Sequence, residues 1–195
     1  MATATDTAEL TRVVSGEMVP APGTYTLDKA HTVVAFVARH LMVTKVRGTF
    51  GEFEGTVVVA EDPTRSSVEA TIRTDSVSTG EPQRDAHLRS GDFLEQDRYP
   101  TMRFASRFVR PVGNGKWQVN GDLTIKDVTL PVVLDLEFNG ATNDPWGGVR
   151  LGFSAATEID RTDYGVSWNT ALDGGGVVVG NRVKIEIEAE AVRAG

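Results

Sequence analysis

Between Val183 and Glu190 the chain alternates without a break. Val183, Ile185, Ile187 and Ala189 hold one parity; Lys184, Glu186, Glu188 and Glu190 hold the other. Successive side chains of a strand point to opposite faces, so this period of two sets one face in a core and the other in water. The pattern recurs along the chain. Val68, Ala70 and Ile72 alternate with Glu69, Thr71 and Arg73, and Met102, Phe104, Ser106 and Phe108 alternate with Arg103 and Arg107. Trp117, Val119, Gly121, Leu123 and Ile125 form another row. Val132, Leu134, Leu136 and Phe138 follow, and then Leu151, Phe153 and Ala155.

Two further strands are longer. His31 to Leu41 is almost wholly apolar. Val34, Phe36, Ala38 and His40 share the face assigned to the interior, because the other face (Val33, Ala35, Val37) ends in Arg39. In Val46 to Ala60, Gly48 and Phe50 have the opposite parity to Phe53, Gly55, Val57 and Val59. A bulge near Gly51-Glu52 would put both sets inside. Asp62-Pro63, Gly113-Asn114-Gly115 and the Asn143–Gly148 loop are turns. About eight alternating strands joined by short turns predict an all-β, antiparallel up-and-down arrangement. Closure into an eight-stranded barrel removes the exposed edges an open sheet would leave. Such a barrel is either filled by its side chains or holds one small ligand. The small inward residues Ala38, Gly48, Gly55, Ala70, Gly121 and Ala155 favour a cavity; large residues opposite them would fill it.

Two stretches break the pattern. Arg84 to Leu94, preceded by Pro82 and interrupted at Ser90-Gly91, reads as one or two short helices inserted between central strands and laid over the barrel. Thr5 to Val14 reads either as a short amphipathic helix, with Leu10, Val13 and Val14 on one side, or as a frayed tail. Pro20 to Gly23 then reads as a linker, which divides the chain into a tail over 1–22 and a barrel domain over 23–195.

Composition narrows the function. With 20 Lys+Arg against 27 Asp+Glu, the formal net charge is −7. That argues against nucleic acid and against a polybasic hold on a membrane surface. The absence of cysteine excludes disulfides and thiolate chemistry. No apolar run is long enough to insert in a membrane, and residues 1–10 lack a signal pattern, so the expected location is cytoplasmic. No nucleophile elbow, P-loop, dinucleotide fingerprint or zincin motif is present. Gly174-Gly175-Gly176 precedes a strand and reads as a loop beside a mouth. His31 and His40 are nine residues apart and fall on opposite faces of a regular strand, so no metal site is expected. His87 is a candidate ligand contact on the cap. Arg84 and Arg161, each beside a turn, read as structural charges or as contacts for an anionic head group.

In combination these segments resemble the YceI-like family, the lipocalin-like polyisoprenoid-binding proteins. The likeness runs from about Gly23 to Val192. Asp28-Lys29-Ala30-His31-Thr32 with Val34, Phe36 and His40 matches the family opening, and Val46 to Phe50 with Phe53 and Gly55 matches the next strand. Thr79, Arg84-Asp85, His87-Leu88, Asp92-Phe93 and Tyr99-Pro100 match the helical insertion, with Phe104 and Ser106 following. Gly121 to Lys126 and Ile159 to Gly165 with Trp168 match the remaining blocks. Tyr25 stands where tryptophan is usual, and Asp127 where glycine is usual.

The resemblance implies a barrel holding an isoprenoid tail, with no catalytic group and no cofactor beyond that lipid. Alternation together with the likeness nominates Val34, Phe36, His40, Phe50, Phe53, Ile72, His87, Leu88, Phe93, Phe104, Leu123, Leu134, Phe153 and Trp168 as the lining, with Arg84 and Arg161 toward a head group. Two alternatives stay open. One is an enzyme on an apolar substrate using His40 or His87; the other is a stress-related interaction protein with a filled barrel. The outward Val33, Ala35 and Val37 also leave a surface for a homodimer.

Overall fold

The computed structural model of the protein describes residues 10–172 and 175–194. Its wall is an antiparallel barrel in which three of the eight strand positions are each built from two pieces. The pieces β3 (Gly23–Leu27) and β4 (Val33–His40) both pair with one side of β13 (Val179–Arg193), Leu27 opposite Ala191 and Ala38 opposite Val183. Next to them, β5 (Thr44–Phe50) pairs with β4 and β6 (Phe53–Val59) with β3. The third position is β7 (Ser67–Arg73) beside β6 and β8 (Val77–Ser78) beside β5. Single strands complete the circuit: β9 (Thr101–Gly113), β10 (Lys116–Ile125), β11 (Val128–Asn143) and β12 (Val149–Asp160), with β12 pairing to β13 to close it.

The breaks follow from parity. Phe50 lies opposite Val34, and Phe53 lies opposite Ile72. Both rings face the interior only because Gly51-Glu52 interrupts the strand, which is the position expected for a bulge. The β9–β10 connection is Asn114-Gly115, both left-handed at φ 56° and 73°, as a two-residue hairpin turn requires.

One end of the barrel is covered by a separate two-stranded sheet, β1 (Thr11–Val14) and β2 (Glu17–Pro20). This corrects the amphipathic helix expected from Thr5: Thr11–Val14 is a strand, and residues 5–9 lie outside the described residues. Ser15-Gly16 turns the chain back with both residues left-handed, and β-branched Thr11, Val13 and Val14 suit the pleat. The hairpin is docked rather than frayed. Leu10 and Val19 are buried, Arg12 donates to the carbonyls of Ala60 and Glu61, and Glu17 accepts from the Gly115 N–H. Beneath it Tyr25, Val59, Leu151 and Ala191 fill the barrel end, and the Tyr25 hydroxyl donates to the Ala21 carbonyl at 2.9 Å.

The opposite end carries α1 (Pro82–Arg89), the α-helix of the described residues. Pro82 occupies its first turn, Glu81 caps it by accepting from the Gln83 and Arg84 N–H groups, and Ser90 ends it. The loop to β9 and the 161–172 segment lie at this same end. Among the described residues no helix is long and apolar enough to cross a membrane.

Candidate functional site

A cavity of about 340 Å³ runs through the barrel interior. Its wall draws on nearly every strand and on both caps: Val19 and Pro20 from the hairpin, Leu88, Phe93 and Leu94 from the helical insertion. Among the described lining residues only Ser66, Ser67, Thr157 and Arg161 are polar. Such a surface offers contact area and almost no hydrogen-bonding instruction, so it selects an occupant by shape and apolarity.

Of the residues nominated from sequence, Val34, Phe36, Phe50, Phe53, Ile72, Leu88, Phe93, Phe104, Leu123, Leu134, Phe153 and Arg161 lie on this wall. His40, His87, Trp168 and Arg84 do not. His40 ends β4 one residue before the turn, paired with Thr44. His87 sits edge-on to both Phe93 and Trp168, with ring centroids at 5.0 and 4.7 Å, and its Nε2 lies 2.7 Å from Asp92. The two rings therefore brace Phe93, which faces the cavity, from behind. Arg84 donates through Nε to the Thr79 hydroxyl and through Nη2 to the Thr79 carbonyl. Its neighbour Asp85 accepts from the Thr79 N–H and hydroxyl. Burial alone would raise the Asp85 carboxyl, but these hydrogen bonds outweigh it and hold the group below its ordinary range. The Arg84-Asp85 dipeptide is thus a clamp that fixes the start of α1.

Arg161 is the unusual member of the wall. It is 5% exposed and donates to four carbonyls: Nε to Gly180, Nη1 to Val166 and Trp168, Nη2 to Val179. Among the described residues no carboxylate pairs with it. Burial pulls its guanidinium below the ordinary value, and the nearby Asp160 acts the other way. The side chain ties the 166–168 segment to the first residues of β13 and leaves a positive charge at the helix-capped end of the cavity.

The small inward residues act differently from expectation. The ring of Phe36 occupies the space over Gly48, and that of Phe104 the space over Gly121. These glycines do not leave voids; they let aromatic rings lie against the wall, and the cavity is what remains at the centre. Of the outward strip on β4, Val33 is exposed, whereas Ala35 is buried in register between Glu186 and Thr49. Of the three glycines read as a loop beside a mouth, Gly174 lies outside the described residues.

Sequence reasoning missed two features. Val19 and Pro20 reach the cavity only because the hairpin folds back. Arg150, at the hairpin end, joins three carboxylates far apart in the chain: it donates to Asp28 at 2.6 Å, to Asp144 at 2.8 Å and to Glu190. His31 adds its Nδ1 at 2.9 Å from Asp28, and the Asp28 carboxyl falls to about 2, through His31 first and Arg150 second. Asp28, His31 and Glu190 converge at metal-ligand spacing, but the guanidinium of Arg150 bonds both carboxylates and makes this an ion-pair network.

Comparison with known proteins agrees with this architecture. A UPF0312 protein of Staphylococcus aureus (strain MSSA476) is 38% identical over 168 residues, covering 85% of this chain and 95% of that protein. One from Vibrio cholerae is 36% identical over 162 residues, covering 80% of this chain and 85% of that one. The crystal structure of a Campylobacter jejuni YCEI protein superposes with a TM-score of 0.69 at 27% identity, covering 80% of this chain and 90% of that one. A polyisoprenoid binding domain from Saccharophagus degradans shares the fold, with a TM-score of 0.63 at 14% identity over 87% of this chain and 98% of that one. The YceI-like domain model matches residues 25–191, which spans the barrel from β3 into β13, and the chain therefore belongs to the YceI-like family.

Proposed function

We propose that the barrel is a non-catalytic carrier for an isoprenoid lipid, of quinone or polyprenyl phosphate type, with the tail enclosed in the interior. The observation that carries this reading is the cavity itself: about 340 Å³ lined almost without polar groups. Each CH₂ taken from water into such a site contributes about 0.8 kcal/mol, so a few prenyl units suffice for retention by apolar contact alone. Arg161, charged and free of carboxylate partners among the described residues, stands where a head group at the helix-capped end would meet it. The polyisoprenoid binding described for the Saccharophagus degradans domain of the same fold supports the choice of ligand class. Neither His40 nor His87 is on the cavity wall, which favours the carrier over the acid–base alternative, and the open interior favours it over a filled barrel.

The test is mass spectrometry of an organic extract of the natively purified protein. A stoichiometric prenyl lipid is expected. It should disappear in Phe36→Arg or Phe104→Arg proteins that still melt cooperatively. Unchanged lipid content in those folded variants, or no lipid from the native source, overturns the reading.

A further inference from the structure

We propose that the β4–β5 turn is a docking tip for an anionic phospholipid bilayer. The turn consists of Leu41, Met42 and Val43, which are 38%, 49% and 76% exposed. Leu41 and Met42 have φ of 51° and 60°. That left-handed region suits glycine and asparagine and disfavours large side chains. The two-residue β9–β10 turn, Asn114-Gly115, uses the residues that the conformation favours, and in the two-residue β10–β11 turn the single left-handed residue is the polar Lys126, whereas Leu41 and Met42 are two consecutive apolar residues. Here the chain accepts a strained backbone and at the same time holds three apolar side chains in water. Both are unfavourable in an isolated molecule, and strain of this kind marks positions under functional constraint.

Charge identifies the partner. Arg39 and Lys45 lie directly opposite each other across the strand pair below the turn, and both are exposed. Like charges in that register repel, and neither is ion-paired among the described residues. Lower on the same face, Arg47 and Lys184 converge on Glu186, so the unneutralised pair is the one nearest the tip. The protein as a whole carries a formal charge of −7, which is why its composition argues against a membrane surface. The cationic collar is local. An apolar wedge above a basic collar is the arrangement that enters the headgroup region and holds anionic lipid by both contacts.

The tip is also placed at the cavity. Ala38, on the strand leading into it, and Val179, opposite His40, both line the wall, as does Arg161 at that end. A docked tip turns this end of the barrel toward the bilayer. The docking rests on exposed residues and does not depend on which ligand the cavity holds.

The test uses the full chain in vesicle sedimentation, with equimolar phosphatidylcholine and phosphatidylglycerol against phosphatidylcholine alone. Binding to the anionic vesicles is expected, weakening as salt is raised. The Met42→Asp/Val43→Asp variant should bind at least roughly tenfold more weakly. The Arg39→Glu/Lys45→Glu variant should fall to the level seen on neutral vesicles. Melting and extracted lipid content should be unchanged in both, which separates docking from cargo. Val43→Trp should show a blue-shifted emission on vesicles, locating the contact at the tip. Equal binding to both vesicle types, undiminished binding of the aspartate variant, or an unshifted emission from bound protein overturns the proposal. So does a tip-dependent dimer, seen by light scattering, without vesicle binding, which would assign the tip to a second copy of the chain.

Discussion

The ring of Phe104 packs against Gly121 on the neighbouring strand so closely that a β-carbon there would sit 2.6 Å from the ring and 2.6 Å from the Ala105 carbonyl. The ring could swing away, but the carbonyl is backbone and cannot. Gly121→Ala should therefore destabilise by about 2 kcal/mol, a loss in Tm of roughly 4–8 °C. Gly152 provides the contrast. It has an ordinary strand φ, and its nearest prospective neighbour is 3.5 Å away, so Gly152→Ala should leave Tm unchanged or slightly raised. Parallel thermal melts check both.

Removing the Arg161 guanidinium would strand the carbonyls of Val166, Trp168, Val179 and Gly180. Arg161→Leu should cost about 3 kcal/mol, a fall in Tm of roughly 6–12 °C. Arg161→Lys should rescue little, because an ammonium cannot reproduce the planar fork. Denaturant titration of the three proteins reads the difference, and full rescue by lysine would show that charge alone matters there.

The Asp28 carboxyl is held down to about 2 by His31 and Arg150. A carboxyl lowered on folding contributes stability that is complete above its unfolded value, about 3.9, and is lost as pH falls through its folded value. Asp28→Asn should thus weaken the protein at neutral pH, and the gap to wild type should close between about pH 4 and pH 2. Urea midpoints across that range test it; a gap of constant size would mean that the carboxylate charge contributes nothing.

Val19 is 2% exposed and faces the cavity, yet among the described residues its hairpin shares no strand pairing with the barrel. Val19→Asp should therefore undock β1 and β2 as a unit instead of unfolding the wall. Increased binding of a hydrophobic dye, with the main thermal transition retained, is the expected result. A collapse of the main transition would show that the hairpin is integral to the barrel.

Much of the wall could be read from residue parity, because a strand with one buried face must alternate. The rows at Val68–Ile72, Met102–Ser106, Trp117–Ile125 and Val183–Ala189 are all strands, and the opposed parities of Phe50 and Phe53 located the interruption at Gly51-Glu52. The row of β9 does not continue to Phe108, because a register shift against β10 between Asn120 and Gly121 leaves Phe108 exposed and sets Val109 on the wall. Pro82 and Ser90-Gly91 bounded the helix because proline is tolerated in the first turn, where its missing N–H costs nothing, and glycine just past the last turn breaks it. The N-terminal hairpin was misread because Leu10, Val13 and Val14 fit a helical stripe as well as a strand. Ser15-Gly16 decides between them only when the barrel end is present to receive Val19.

The sequence by itself determined which faces of the strands are apolar, and hence that a closed antiparallel wall forms. It could not say what the inside contains. Alternation reports that Phe36 and Phe104 point inward, but not that their rings lie over Gly48 and Gly121 and leave the centre open. Nor could it separate Phe93, on the wall, from His87 and Trp168 behind it, or join Arg150 to Asp28, Asp144 and Glu190. Periodicity is a property of neighbouring residues in one strand. Ring placement, long-range ion pairs and cavity shape are set by side chains that meet only after strands distant in the chain have paired, and tertiary packing alone decides them.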